Sequence, residues 1–421
     1  MNIDLIIKNI GKLVTMKGSS FPRVGKQMNE FEIIENAYIA IASGEIFEVG
    51  VGEGYLKLVN ENTKVDDASG LLVTPGLIDS HTHLVHGGSR ENEFSKKLNG
   101  VPYIQILQEG GGILSTVNST KNATSDELYN KSKKSLDRML EFGVTTVEGK
   151  SGYGLDLETE IKQLEVAHKL DKEHPVDLVH TFLGAHAIPK EYKGNNEAYI
   201  KILVDEMMPK IQELGLAEFC DVFCEEGVFS VEESEYILNK AKELGYKLKI
   251  HADEIVPIGG AELAAKLGCV SADHLMAASD QGLRDMASKG IIANLLPGTS
   301  FNLNKKSADG RKMIDMDVPV SLSSDYNPGS CPSENLQFAM QLGCLNLKMT
   351  PNEVLTAATI NAAHCIDRAN EIGSIEVGKK ADIAIFDAPN VEYLMYHFGI
   401  NHIDRVYKKG KLVVDNKHVV Y

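Results

Sequence analysis

Tryptophan is absent from this 421-residue chain, cysteine occurs only six times, and proline thirteen times. Thiols that sparse cannot staple a fold as a disulfide framework, so they are read as reduced and the compartment as the cytoplasm. Cys220 and Cys224 flank a DVF run with no second cysteine pair nearby, which makes them buried strand thiols rather than zinc ligands. No apolar run reaches the roughly 18 residues that a membrane span requires. The opening MNIDLIIKNIGKLV has no basic start, long apolar core or cleavage site of an export signal. Basic side chains are also in short supply: 43 against 59 acidic ones leave a formal charge of −16. Such a surface repels phosphate backbones and anionic lipid, so neither nucleic acid nor a membrane is expected as a partner.

What is present is 43% hydrophobic and 24% charged, the composition of a globular protein with a large core. The first seventy residues read as short strands, in NIDLIIKN, AYIAIASGEIFEVG and TKVDDASGLLVT, with Ser43-Gly44 as a hairpin turn. The same texture returns in ADIAIFDA and in DRVYKKGKLVVDNKHVVY, folded about Lys409-Gly410. Residues 401–421 carry five basic and two acidic side chains and are read as a solvated strand pair. Each terminal piece is too small for a secure core of its own, so one β-sandwich domain built from both ends is expected.

The middle has a different rhythm. Eight short apolar runs alternate with helical stretches: 76–81, 144–149, 176–182, 219–224, 247–252, 269–274, 291–296 and 318–325. Helices are expected from Ser125 to Gly143 and from Ser230 to Gly245, each with a serine cap, a glutamate soon after and a terminal glycine. AELAAKL and GLRDMASK end at Gly268 and Gly290 in the same way. Parallel strands need crossover helices, so the pattern predicts an α/β fold, a (β/α)8 TIM-like barrel. The expected domains are 1–74 and 371–421 for the two parts of the β-domain, and 75–370 for the barrel. The structural rival is a doubly wound sheet, which no GxGxxG or Walker sequence supports.

The strands end in polar residues: Asp79-Ser-His81-Thr-His83, Glu148, His180, Glu225, His251-Ala-Asp253-Glu254, Asp273-His274 and Asp325. In a barrel these ends converge on one face. His81 and His83 sit at strand spacing, so both point to one side. With His251 and Asp325 they make an N3O set suited to one Zn2+ or Fe2+ ion, Fe3+ being a further option, with a position open to water. Each also has a bland reading, as a core histidine or a helix cap. Glu254 can reach the same site as a proton acceptor, or serve only as a carboxylate at a helix start. His274 can bond the water or a developing oxyanion, and Asp273 can cap a helix or orient an imidazole. Arg90 in HGGSREN, Tyr153 in EGKSGYGL and His186 in LGAHAIP suggest an anionic substrate, against a surface salt bridge, a packing contact and a loop bond. Cys365 beside His364 reads as helix interior, not as a nucleophilic pair.

These motifs resemble the amidohydrolase superfamily and, within it, the imidazolonepropionase family. TPGLIDSHTH and GKKADIAIFD carry the broader resemblance; SGYGL, HADE and SDYNPG carry the narrower one. The resemblance implies metal binding by His81, His83, His251 and Asp325, with Asp325 also in the catalytic group. It implies substrate contacts by Arg90, Tyr153 and His186, with Asn327 and Gly329 near the ring, and Glu254 and His274 as an acid/base pair. The implied reaction is hydrolysis of 4-imidazolone-5-propionate, a small anion, to N-formimidoyl-L-glutamate by a metal-activated water. Some relatives with two metals use a carboxylated lysine where Lys150 lies; with His180 unassigned as a ligand, one metal is expected. A homodimer is expected because it is the commonest closed assembly. The competing readings are a purine or pyrimidine aminohydrolase, which has no use for the anion clamp, and a non-enzymatic scaffold barrel, which has none for the ligand set.

Overall fold

Strand-forming runs at both ends of the chain meet in one sheet. The computed structural model describes residues 2–18, 20–101, 105, 109 and 111–421. The N-terminal part supplies β1 (Leu5–Val14), β2 (Ile33–Ala42), β3 (Glu45–Val51), β4 (Lys64–Asp67) and β5 (Leu72–Pro75). After the barrel strands β6–β13, the C-terminal part supplies β14 (Ile383–Phe386), β15 (Ile403–Lys408), β16 (Lys411–Asp415) and β17 (His418–Val419). Hydrogen bonds link all nine in the order β17-β16-β15-β14-β5-β1-β2-β3, with β4 also on β1. The long β1 makes this possible: its first half pairs with β4 and its second half with β5. Ile39, Ile41 and Ile46 of one half pack with Ile383, Ile385 and Tyr407 of the other, which gives this domain its own core.

The terminal basic segment is less solvated than its charge suggests. Lys408 is 3% exposed, and its ammonium lies 2.6 Å from Asp382 and 2.9 Å from Asp177 at the start of a barrel strand. A local positive charge here is an internal counter-ion.

The barrel strands are β6 (Leu77–Thr82), β7 (Val144–Lys150), β8 (Asp177–Ala185), β9 (Phe219–Cys224), β10 (Lys247–Ala252), β11 (Ser271–His274), β12 (Ile292–Leu295) and β13 (Val320–Leu322). Each falls within or across one of the eight apolar runs, and neighbours pair in parallel in sequence order from β6 to β13. The seam between β13 and β6 is closed by polar contacts. Asp325 N donates to His81 O at 3.1 Å and His83 N to Tyr326 O at 2.8 Å. Below them Asp79 accepts from Ser324 N and Oγ at 3.0 and 2.5 Å. The same closure brings the His81/His83 pair to Asp325.

Helix ends follow the expected chemistry with one correction. The helix Ser125–Glu141 is capped by Thr124, not Ser125: Thr124 Oγ1 accepts from Glu127 N, and Glu127 reaches back to Thr124 N. Glu127 lies three residues after Thr124, the spacing that a capping box requires, and only two after Ser125. Ser230 caps Val231–Glu243 as expected. Gly268 and Gly290 adopt left-handed φ values of 71° and 67° at their helix ends.

Candidate active site

Strand alternation aims His81 and His83 into the barrel mouth, where His251 from β10 and Asp325 from the β13 end meet them. All four are buried. The rings of His81 and His251 are 4.7 Å apart between centroids, and those of His81 and His83 5.3 Å. Asp325 Oδ1 lies 3.5 Å from His81 Nε2 and 3.6 Å from His83 Nε2. These separations are long for hydrogen bonds but match the roughly 3.4 Å edge of a tetrahedron of ligands around zinc. His81 Nε2 and both nitrogens of His251 are buried without a hydrogen-bond partner. Burial holds all three imidazoles well below the usual histidine pKa, hence neutral with lone pairs free. Burial pushes Asp325 up to about 6, and Thr299 donates a hydroxyl to its second oxygen. The donor set therefore fits a metal ion. Three overlapping groups, His81/His251/His274, His83/His186/His251 and His81/His83/Asp325, each bring their ligand atoms within 4.8 Å of one another.

A layer of buried charge lies beneath. His81 Nδ1 is 2.6 Å from Asp273 Oδ2, and His251 Nδ1 is 3.0 Å from Asp221 Oδ2. Lys150 Nζ donates to Asp221 at 2.8 Å and to Glu148 at 3.0 Å, with Asp273 at 3.5 Å. Lys249 donates to the other oxygen of Glu148 at 2.8 Å. Burial opposes the Lys150 ammonium, but Asp221, Glu148 and Asp273 outweigh it and hold its pKa well above the lysine range. Lys150 is thus a counter-ion whose donors are engaged, not a nitrogen available for carboxylation. Asp273 orients an imidazole; it does not cap a helix. His180 lies apart, stacked on His168 at 3.9 Å.

Above the ligand set, His186 stacks on His83 at 4.8 Å, and Tyr153 lies 5.6 Å from the same ring. His186 Nδ1 is 3.0 Å from Gly152 O, which makes Nδ1 the protonated nitrogen and leaves Nε2 its lone pair. A side chain at Gly152 would strike His186 at 2.9 Å, and its φ of 107° also demands glycine. Glu160 ties this loop through Gly152, Gly154 and Leu155 N–H groups.

Arg90 donates from Nε and Nη2 to Glu93 Oε2, both at 3.1 Å, and lies against Gly329, where a Cβ would approach Nη1 to 2.1 Å. Asn327 is engaged within its loop: Oδ1 accepts from Gly329 N and Ser330 N at 2.8 Å, and Nδ2 donates to Asp325 O at 2.7 Å. It shapes the wall that carries Gly329. Glu254 Oε2 is 3.8 Å from His274 Nε2. The Glu254 loop is held from both sides, by Asp253 accepting four N–H groups from Ile258 to Ala261 and by Glu225 accepting from Ile255 N at 2.8 Å.

The amidohydrolase family profile matches residues 72–413. From end to end the chain is 62% identical over 424 residues to the imidazolonepropionase of Alkaliphilus oremlandii (strain OhILAs), covering 100% of each. It is 59% identical over 414 residues to the imidazolonepropionase of Fusobacterium nucleatum subsp. nucleatum, covering 98% of this chain and 99% of that one. The chain belongs to the amidohydrolase family. Among solved structures, an adenosine deaminase from Xanthomonas campestris with bound zinc has a TM-score of 0.74 at 16% identity, over 100% of this chain and 94% of that one. That likeness is one of fold.

In this amidohydrolase several residues at the site went unread in the sequence: Glu93, Asp221, Lys249 and Thr299. The signal for two was there. A charge in the middle of FCDVFC or KLKIHA cannot face a dry core unpaired, so each announces a partner inside the barrel. Glu93 and Thr299 lie in polar segments, where nothing marks them.

Proposed function

We propose that the chain hydrolyses 4-imidazolone-5-propionate to N-formimidoyl-L-glutamate, a ring-opening step of histidine degradation. The observation that carries this is the adjacency of two parts: a buried set of neutral imidazoles with Asp325, and Tyr153, His186 and the Arg90 guanidinium around it. The full-length similarity to imidazolonepropionases supports the same reading. His81, His83, His251 and Asp325 would hold one divalent ion, Zn2+ or Fe2+, which supplies Lewis acidity toward the attacking water and the ring carbonyl. Asp273 orients His81 by accepting its Nδ1–H, and the Asp221 carboxylate lies beside Nδ1 of His251.

Glu254 accepts the proton of the water as it adds to the carbonyl carbon and delivers it to the ring nitrogen as the C–N bond breaks. His274 stabilises the oxyanion through its ring N–H. The carbonyl carbon leaves as a carboxylate and the nitrogen stays in the formimidoyl group, so one water is consumed. Arg90, Tyr153 and His186 hold the propionate, and Asn327 with Gly329 shape the ring's wall. The barrel at 75–370 carries all of this, and we place the enzyme in the cytoplasm as a homodimer. No helix among the described residues is long and apolar enough to cross a membrane.

The test follows imidazolone absorbance together with formiminoglutamate by mass spectrometry on purified, metal-analysed enzyme. Loss of the one with gain of the other is expected, and Glu254→Gln should lower kcat by about 10²–10⁴ with metal content unchanged. Ammonia release from purines or pyrimidines without imidazolone loss would replace this reading with an aminohydrolase.

A further inference from the structure

Glu93 is a carboxylate to which the reaction gives no task. It lies in the first turn of the exposed helix Glu91–Leu98, yet only 7% of it is accessible. Both of its oxygens are engaged. Oε2 accepts Arg90 Nε and Nη2 at 3.1 Å each, and Oε1 accepts Gly112 N at 2.8 Å. Two of the five guanidinium N–H donors are therefore spent on Glu93. The Nη1 side is pressed against Gly329, where even a Cβ would lie 2.1 Å away. The guanidinium plane is set by a carboxylate on one edge and a backbone on the other, and only the remaining Nη donors are open to a ligand.

We infer that Glu93 is the positioning residue of the anion clamp: it fixes Arg90 so that its free Nη donors meet a carboxylate, and it thereby sets the preference for carboxylate-bearing imidazolones. The inference rests on the proposed role of Arg90 in holding the propionate. A long side chain already ordered before binding gives up little freedom when the substrate arrives. The negative charge of Glu93 also compensates a guanidinium that is largely removed from water.

Glutamine at this position separates positioning from mere support. Its single oxygen can accept from Gly112 or from Arg90, but not from both, and its NH2 group meets a donor either way. Glu93→Gln should raise KM for imidazolone propionate about tenfold while kcat stays within about twofold, the loss of one charge-assisted contact in binding. An analogue with an ethyl group in place of the propionate should show the same kcat/KM with wild type and variant. If Glu93→Gln does not fold, Glu93→Asp, one methylene short of Arg90, should give the same split. Equal loss on both substrates, or a lower KM in the variant, would overturn the inference, the latter by showing that Glu93 competes with substrate. Failure of the underlying reading looks different: wild type itself would treat the two substrates alike, or consume neither.

Discussion

At the residue scale the site is decided by which charges the barrel buries and how they pair. Lys150 sits among three carboxylates with no exposed surface. Removing it in Lys150→Met leaves Asp221 without an ammonium partner and Glu148 with Lys249 alone, and should destabilise the fold by roughly 3–5 kcal/mol in urea unfolding. Because its donors are engaged, adding bicarbonate to decarbonated enzyme should change neither activity nor metal content. A rise in both would return Lys150 to the ligands. His180 gives a pH prediction whose sign follows from its environment. Burial pushes its pKa down to about 3 from 6.5, so between these values the unfolded chain binds the extra proton. Its contribution to stability is complete above the unfolded value and is lost as pH falls toward the folded one. His180→Leu, close in volume, should remove that slope, so wild type loses about 2 kcal/mol more than the variant between about pH 7 and 5. Parallel stability curves would sink the argument. His81, His83, His251, Asp325 and Glu254 stood out in the sequence as polar residues at or just past strand ends, and Arg90 as a cation in the glycine-bearing loop after β6. Glu93 did not, because a glutamate in a helical first turn is normally solvated; Arg90 is its neighbour three residues back, but only the fold brings Gly112 onto its other oxygen.

At the element scale, the strands deliver their chemistry by bending out of β geometry at their ends. Asp253, His274 and Asp325 have φ values of 47°, 77° and 58°, a region costly for residues other than glycine. The surrounding hydrogen bonds, above all the four N–H groups on Asp253, hold these turns in place. Periodicity found all eight strands because buried parallel strands are short apolar runs bounded by polar residues. Boundaries were less legible. Ser125 and Thr124 are chemically equivalent as caps, and only the exact spacing to Glu127 separates them. The two should therefore respond differently to truncation. Thr124→Ala should cost about 1 kcal/mol, and Ser125→Ala should stay within about 0.5 kcal/mol, both measured by chemical denaturation. The opposite order would restore Ser125 as the cap.

At the scale of the whole molecule, two closures hold the site: the polar seam between β6 and β13, and the sheet assembled from both chain ends. The termini's shared sheet was legible from strand texture and from the small size of each piece. Its junction with the barrel was not, since a basic tail on an acidic protein reads as solvent-facing. Lys408 instead joins Asp382 of the terminal sheet's approach to Asp177 at the base of β8, and all three are largely buried. Burial pushes Asp177 up, but Lys408 and Lys409 outweigh it and hold the carboxyl below its usual range. Lys408→Met leaves the buried Asp382 without its ammonium, while Asp177 keeps Lys409 at 2.7 Å, and should lower stability by about 3 kcal/mol, the cost of breaking a buried pair from one side. The active site lies at the opposite end of β8, beyond Ala185, so kcat/KM of the folded fraction at 25 °C should be unchanged. Urea unfolding alongside steady-state kinetics tests both halves. Lost stability with retained kcat/KM would mark the terminal domain as a support for the barrel, whereas a parallel fall in kcat/KM would mean that strain at the barrel base reaches the ligand set.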